Sequence, residues 1–227
     1  MVMETVKFWE KKDEALTAMA ELQSKKKDWT GNSKAVFVTN GDSSHSKEER
    51  AEWDYYATEP KATKLLLDLE DFSDNIWECA AGEHHIANVF KDAGYNVRCS
   101  DIVDRTGDTE IIDFLEYEGE WNGDIISNPP YNQCREFCEK AIETVTEGHK
   151  VAMFLKLSFL EGQSRREFFK KYPPKTVWVS VSRLGCAKNG EFKLDKKGNP
   201  KSDSAVCYCW YIWEKGFNGE PAIKWFN

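Results

Sequence analysis

The segment Asn75-Ile76-Trp77-Glu78-Cys79-Ala80-Ala81-Gly82, with the residues that follow it to Asp101, carries the clearest folding signal of the chain. A short apolar run predicts a strand over 75–78, and small residues with a glycine predict a turn after it. Helical spacing over 84–93 then leads to a second predicted strand, 96–100. A strand, a turn, a helix and a second strand in this order indicate neighbouring parallel strands.

The same alternation continues on both sides of this unit. Pro60 begins a predicted helix, residues 60–70, because proline is accepted at the first helical position. Further strands are predicted at 111–112, 124–127, 150–155, 175–181, 205–213 and 222–226, and further helices at 132–147 and 161–171. The chain is therefore predicted to form an α/β domain with a mostly parallel sheet over residues 51–227.

Residues 1–50 differ in composition and are predicted to form an N-terminal appendage. Helical spacing over 3–27 places five apolar residues on one stripe, namely Val6, Trp9, Ala15, Met19 and Leu22. Residues 28–50 are polar and rich in turn-forming residues, which predicts an irregular strap. The N-terminus lacks the apolar centre of a signal peptide, and no apolar run approaches the roughly 18–20 residues of a membrane span. We therefore expect a cytoplasmic protein without membrane partners.

Composition and charge restrict the classes of function. The seven cysteines have spacings that suit neither zinc nor a disulfide framework, so we expect reduced thiols and no metal. The net charge of −8 argues against a general nucleic-acid binder. The charge is uneven, however, because residues 150–227 hold fifteen Lys and Arg against seven Asp and Glu. This distribution is compatible with phosphate binding on one face.

Four successive predicted strands end at an acid or an amide: Glu78, Asp101, Asp113 and Asn128. Each residue alone can be a turn former, since turns favour Asp and Asn. In an open parallel sheet, however, the carboxyl ends of the strands meet at one edge, where ligands bind. We therefore expect these four side chains to border one ligand site.

The glycine turn and Asp101 indicate a nucleoside ligand. Asp101 lies nineteen residues beyond Gly82, after the second strand, where a carboxylate accepts hydrogen bonds from ribose hydroxyls. The chain has neither a GxGxxG phosphate cradle nor a P-loop, so a nucleoside without phosphate fits best. S-adenosylmethionine is such a cofactor, and its positive sulfonium suits an acidic pocket.

The segment Ile125-Ile126-Ser127-Asn128-Pro129-Pro130-Tyr131 suggests the chemistry. Two prolines end the strand and stiffen the loop that follows. This loop offers the amide oxygen of Asn128, the main-chain carbonyl of Pro129 and the ring of Tyr131. Two acceptors can bind both hydrogens of an amino group and draw its lone pair out of conjugation, while Tyr131 stacks on the ring that bears the group. The lone pair can then attack a sulfonium methyl without a strong general base.

On these residues the sequence resembles the amino-methyltransferases, and in particular the short adenine-specific DNA methyltransferases of bacteriophages and mobile elements. The resemblance covers roughly residues 28–227. It implies a Rossmann-like class I methyltransferase sheet with an antiparallel C-terminal strand and helices on both faces. It also implies methyl transfer from S-adenosylmethionine to the N6 amino group of adenine in DNA, in a site-specific reaction of a restriction-modification type.

The resemblance also implies roles for individual residues. Asp101 would hold the ribose, Asp113 the adenine amino group of the cofactor, and Thr58 would lie near its methionine end. The full set of expected cofactor contacts is Tyr56, Thr58, Glu78, Ala80, Gly82, Asp101, Ile102, Asp113, Phe114 and Asn128, and the catalytic tetrapeptide is Asn128, Pro129, Pro130 and Tyr131. The family has a glycine where this chain has His84.

Target recognition is expected to use a short segment, because the chain has no room for a large recognition domain. A base inside a duplex must be flipped out or presented in a single strand. Residues 184–204 form a basic predicted loop or hairpin that can follow a phosphate backbone, although a solvated hairpin tip is the alternative. The expected substrate contacts are Tyr131, Lys156, Lys188, Phe192 and Lys193. We expect a short or relaxed recognition sequence, with dimerisation as an aid to it.

Two other classes of function stay open. The same loop chemistry serves methylation of an RNA base or of a protein glutamine. A protein that keeps the fold but has lost the cofactor through His84 would instead be a non-catalytic nucleic-acid-binding module.

Overall fold

The structure is a computed structural model that describes residues 54–192, 194, 196, 198 and 206–227. The predicted N-terminal helix and strap at 1–50 lie outside the described residues. Most of the segment 193–205, including Lys193, also lies outside them. The fold below is that of the described part of the chain.

The main sheet has eight strands in the order β10-β7-β9-β6-β5-β2-β3-β4. Their bounds are β2 Asn75–Glu78, β3 Asn96–Asp101, β4 Glu110–Ile111, β5 Asp124–Ser127, β6 Lys150–Lys156, β7 Thr176–Ser180, β9 Tyr208–Glu214 and β10 Ala222–Phe226. All neighbouring strands are parallel except β9, which runs antiparallel to both β6 and β7. The predicted mostly parallel sheet with an antiparallel C-terminal strand is confirmed.

Four helices cover the two faces of this sheet: α1 Pro60–Leu67, α2 His85–Asp92, α3 Cys134–Thr144 and α4 Arg166–Lys171. Leu66 of α1 and Phe90 of α2 join one core cluster. Phe137 of α3 and Phe168 of α4 join another. Because strand side chains alternate between faces, each strand serves both cores: Ile76 packs in the first and Trp77 in the second. Helices on both faces are thus confirmed.

The strand order creates a switch point beside β2. From β2 the chain moves outward through β3 to β4, and then returns to place β5 on the opposite side of β2. The loops that leave β2 and β5 therefore part in opposite directions and leave a crevice at the carboxyl edge of the sheet. Cys79, Ala80 and Asn128 border this crevice.

A second, two-stranded antiparallel sheet pairs β1, Tyr56–Thr58, with β8, Cys186–Lys188. In its register Tyr56 lies opposite Lys188, and Thr58 lies opposite Cys186. The sequence prediction missed both strands because three residues are too few to show a strand period. Their pairing joins parts of the chain about 130 residues apart, which only the tertiary structure determines.

Several predicted element boundaries needed correction. The predicted helix 132–147 is a 3-10 turn at Tyr131–Gln133 followed by α3, and the predicted helix 161–171 is a 3-10 turn at Gln163–Arg165 followed by α4. The strand predicted over 205–213 corresponds, in the described part of the chain, to a strand over Tyr208–Glu214. The described residues contain no helix that is long and apolar enough to span a membrane.

Candidate active site

A cleft opens at the carboxyl edge of the sheet and encloses about 630 Å³ of space, part of it open to solvent. Eight residues singled out from the sequence border it: Tyr56, Ala80, Asp101, Ile102, Asp113, Phe114, Asn128 and Pro130. The structure thus brings the ends of β2, β3 and β5, and the segment after β4, to one cavity.

Asp101 is held by its own surroundings at the end of β3. One carboxylate oxygen accepts the main-chain N–H of Gly82 at 2.9 Å. The other accepts the N–H of Val103 at 3.1 Å and faces the Arg105 guanidinium at 3.4 Å. These contacts fix the carboxylate at the border of the cleft, where it can accept hydrogen bonds from a diol.

Asp113 and Phe114 form another part of the cleft wall, after β4. Asp113 caps a 3-10 turn, Phe114–Glu116, by accepting the N–H of Leu115 at 3.0 Å. Phe114 is buried and packs edge-on against Trp77, with ring centroids 5.2 Å apart. The wall therefore combines a fixed carboxylate with an apolar surface, which suits a flat ring bearing a polar group.

Asn128 leaves the buried strand β5 and turns its amide toward β1. Its Nδ2 donates to the main-chain oxygen of Tyr56 at 2.6 Å. Its Oδ1 is shielded from solvent, and none of the described residues donates a hydrogen bond to it. A shielded acceptor without a donor costs roughly 1–3 kcal/mol. This oxygen therefore has the capacity to accept an N–H from a ligand.

Tyr131 is packed among other aromatic residues. Its ring lies 4.9 Å from that of Tyr56, and its hydroxyl donates to the Tyr208 hydroxyl at 2.9 Å. The Lys156 ammonium lies 5.0 Å from the Tyr131 ring centroid. Burial raises the pKa of Tyr131 well above its ordinary value, so its hydroxyl stays protonated. The protein thus fixes the position of this ring, one end of which is held by β9.

Three of the expected cofactor contacts do not border the cleft: Thr58, Glu78 and Gly82. Glu78 is buried and accepts the N–H of Ala87 in α2 at 2.7 Å, so it ties β2 to that helix. Thr58 is buried in the β1–β8 pair. Gly82 has φ +53°, and a Cβ atom there would lie 2.3 Å from the Tyr55 ring, so Tyr55 requires the glycine.

His84 does not border the cleft, although the resemblance drawn from the sequence implies a glycine at this position. Its backbone keeps the left-handed conformation of a glycine, with φ 63°, at a cost of about 1–2 kcal/mol. Its ring is turned to the loop after β3, with Nε2 2.8 Å from the Thr109 hydroxyl and Nδ1 3.5 Å from Asp108. The residue therefore packs the loop and leaves the cavity open.

The expected substrate contacts are spread apart. Phe192 lies against His85, with ring centroids 5.3 Å apart, and does not border the cleft. Lys188 is exposed beside β1, and Lys193 is outside the described residues. Of this group, Lys156 and Tyr131 lie together next to the loop that follows β5.

Seven residues outside the expected site also border the cleft: Asp54, Tyr55, Cys79, Arg105, Ile112, Gln133 and Phe137. The Arg105 guanidinium lies 4.6 Å from the Tyr55 ring centroid. Asp54 accepts the N–H of Asn132 at 3.0 Å and so links β1 to the loop after β5. Arg105 follows Asp101 by four residues, and this spacing next to the expected ribose carboxylate was a usable signal. The sequence contains no comparable signal for Asp54, because its hydrogen-bond partner Asn132 is 78 residues away.

Glu78 gives a pH-dependent prediction. Burial raises its pKa well above the ordinary value of 4.5, so the folded protein binds a proton that the unfolded chain releases. Its contribution to stability is therefore full below pH 4.5 and is lost as the pH rises through the folded pKa. Each pH unit between the two pKa values is worth about 1.4 kcal/mol.

Urea unfolding of the wild type and Glu78→Gln from pH 5 to 8 measures this effect. The stability of the wild type relative to the variant should fall as the pH rises. His84, which is buried, and His85, which is half-buried, have lowered pKa values and act in the opposite direction, but they are common to both proteins. Parallel stability curves would contradict a protonated Glu78.

No protein-family model matches the sequence, and a comparison with curated proteins finds no match. Solved structures with a similar fold include a protein described as a class I S-adenosylmethionine-dependent methyltransferase from Listeria monocytogenes (14% identity, 72% of this chain and 62% of that chain, TM-score 0.48). Another is an S-adenosylmethionine-dependent O-methyltransferase from Thermotoga maritima (14% identity, 71% of this chain and 67% of that chain, TM-score 0.47). A third is the type I restriction enzyme EcoKI M protein (14% identity, 80% of this chain and 47% of that chain, TM-score 0.48). The chain spans about three fifths of the Listeria protein and under half of the EcoKI protein. At such identity the likeness is one of fold alone.

Proposed function

We propose that this protein transfers a methyl group from S-adenosylmethionine to an exocyclic amino group, and that its substrate is the N6 amino group of adenine in DNA. The observation that carries the proposal is the Oδ1 atom of Asn128. Asn128 borders the cleft, and its Oδ1 is shielded from solvent and has no donor among the described residues. An amino group supplies the donor that this oxygen lacks.

The residues of the cleft suit a nucleoside cofactor without phosphates. Asp101 offers a fixed carboxylate for the ribose hydroxyls, and Asp113 offers one for the adenine amino group beside the apolar ring of Phe114. Asp54, Asp101 and Asp113 against the single Arg105 leave an acidic lining that favours a positively charged ligand. When bound, S-adenosylmethionine supplies an electrophilic methyl group on its sulfonium.

The loop after β5 would act on the amino group by orientation and charge stabilisation. Asn128 Oδ1 would accept one N–H, and the Pro129 carbonyl would accept the other. This geometry turns the nitrogen lone pair toward the methyl group and stabilises the positive charge that develops on nitrogen. The Tyr131 ring, which Tyr208 holds in place, would give the base a stacking surface. The N–C bond would form as the S–C bond breaks and the neutral thioether leaves. The methylated nitrogen, acidic because its ring draws electrons from it, would then release one proton to solvent water, so no side chain has to act as a strong base.

Nucleic acid is favoured as the substrate by the charge of the C-terminal part of the chain. Residues 150–227 carry fifteen Lys and Arg against seven Asp and Glu, while the whole chain is acidic. Lys156 lies beside Tyr131, and Lys188 lies opposite Tyr56 in the β1–β8 register. Both are therefore near the catalytic loop, where they can meet the phosphates that flank a flipped base.

Methyl incorporation from tritiated S-adenosylmethionine tests the proposal. The full-length protein is incubated separately with unmethylated DNA, RNA and ribosomal proteins, and the product nucleosides or amino acids are identified. We expect label in N6-methyladenine of DNA. Label in an RNA base or in protein glutamine would support methylation of an amino group but would contradict DNA as the substrate. If calorimetry detects no S-adenosylmethionine binding at millimolar concentration, the protein is a non-catalytic module and the proposal fails.

A further inference from the structure

The side-chain amide of Asn128 has contacts on its nitrogen side that the proposed chemistry does not use. Besides the bond to the Tyr56 carbonyl at 2.6 Å, Nδ2 lies 3.6 Å from the sulfur of Cys186. Sulfur accepts weak hydrogen bonds, and 3.6 Å is within the usual range for such a bond. The two N–H groups of the amide therefore each have an acceptor, one on β1 and one on β8.

This pair of acceptors determines which way the amide faces. An Asn side chain can rotate by 180° and exchange its oxygen and nitrogen with little change in shape, so its neighbours decide the orientation. In the flipped amide, Oδ1 would face the Tyr56 carbonyl oxygen, and the hydrogen bonds from Nδ2 to Tyr56 and to Cys186 would both be lost. With Tyr56 and Cys186 in place, Oδ1 faces away from them as an acceptor.

Cys186 also contacts the rest of the catalytic loop. Tyr131 and Tyr208, whose hydroxyls are hydrogen-bonded to each other at 2.9 Å, lie close enough to its thiol for the thiol to influence the pKa of both. Packing around the sulfur raises the pKa of the Cys186 thiol to about 12, so at neutral pH it is a neutral group and not a nucleophilic thiolate. One uncharged sulfur thus contacts the Asn128 amide and lies close to Tyr131 and Tyr208.

We propose that Cys186 is a positioning residue: with the Tyr56 carbonyl, its sulfur holds the Asn128 amide in the orientation that accepts an N–H, and so makes the loop selective for amino groups. This inference rests on the proposed function. It assigns a catalytic purpose to the β1–β8 pair, which carries both acceptors and lies outside the main sheet.

The test compares Cys186→Ala, which removes the acceptor, with Cys186→Ser, which restores one. We expect Cys186→Ala to lower kcat for methyl transfer about tenfold while the KM for S-adenosylmethionine stays within twofold. Cys186→Ser should keep at least a third of the wild-type kcat. Cys209→Ala is the matched control, because Cys209 is a fully buried thiol in the core beneath α3 and α4 and should lower stability without changing kcat.

A second measurement does not depend on activity. In protein labelled with ¹⁵N-asparagine, the side-chain signals of Asn128 are identified by their loss in Asn128→Ser. Wild-type protein should show two amide protons that exchange slowly with solvent, and Cys186→Ala should accelerate exchange of one of them at least tenfold.

The two measurements separate the possible failures. Wild-type kcat in Cys186→Ala, an equal loss in the Ala and Ser variants, or unchanged exchange of both Asn128 protons would each overturn the role of Cys186. If the wild type transfers no methyl group but the exchange difference is present, the proposed function fails while the positioning of the amide stands.

Discussion

Asn128→Ala is expected to lower kcat for methyl transfer by about 100- to 1,000-fold and to leave the KM for S-adenosylmethionine within about threefold. Removing one preorganised polar group at a reacting centre has effects of this size. The alanine variant loses the Oδ1 acceptor and with it the orientation of the amino group. The nitrogen lone pair then stays conjugated with the ring and is a weak nucleophile.

Initial rates with tritiated cofactor and unmethylated DNA measure this loss, with circular dichroism and Tm as checks on folding. The variant also leaves the Tyr56 carbonyl without its donor, so a modest decrease in Tm is expected. Asn132→Ala is the matched control. Asn132 is exposed four residues further along the same loop and should keep near-wild-type kcat. A rate for Asn128→Ala within fivefold of wild type would remove the basis of the proposed mechanism.

Asp101→Asn is expected to weaken S-adenosylmethionine binding by about 10- to 100-fold. A hydrogen bond to a charged group contributes roughly 1.5–3 kcal/mol, and each 1.4 kcal/mol corresponds to a factor of ten in affinity. The amide keeps the shape of the side chain but removes the negative charge. In the wild type the main-chain N–H groups of Gly82 and Val103 donate to the two carboxylate oxygens. The asparagine NH₂ group would replace one of these acceptors, so one of the two main-chain donors would lose its partner.

Calorimetric titration with S-adenosylmethionine measures the affinity. Asp104→Asn is a suitable control, because Asp104 accepts main-chain N–H groups of Thr106, Gly107 and Thr109 in the same loop but does not border the cleft. It should lower stability and leave cofactor affinity unchanged. Equal losses of affinity in the two variants would mean that Asp101 organises its loop and does not bind ribose.

The cleft also explains why a histidine is tolerated at position 84. A side chain at this point was the main sequence argument for a non-catalytic module. The structure turns the ring to Thr109 and Asp108, away from the cavity. The left-handed backbone that a glycine would adopt easily is retained here at a cost in stability, and the bond to Thr109 offsets part of it.

The order of the main-sheet strands and of the four helices along the chain followed from the sequence by itself. Buried strands and amphipathic helices differ in hydrophobic period, and this difference is visible over the few residues of each element. A parallel sheet places the segments after β3, β4 and β5 at one edge. The sequence alone therefore predicts that Asp101, Asp113 and Asn128 lie close together, and all three border the cleft. Pro129 and Pro130 marked the stiff loop, because their effect on the backbone is local.

Only the tertiary structure decided how these residues are held. The partners of the Asn128 amide, Tyr56 and Cys186, are 72 and 58 residues away in the chain, on strands too short to show a period. Glu78 ends its strand as the other acids do, but its side chain enters the core to meet α2. Periodicity reports which face of its own element a residue occupies. It carries no information on which distant hydrogen-bonding group will satisfy a polar side chain, because that depends on how the elements pack.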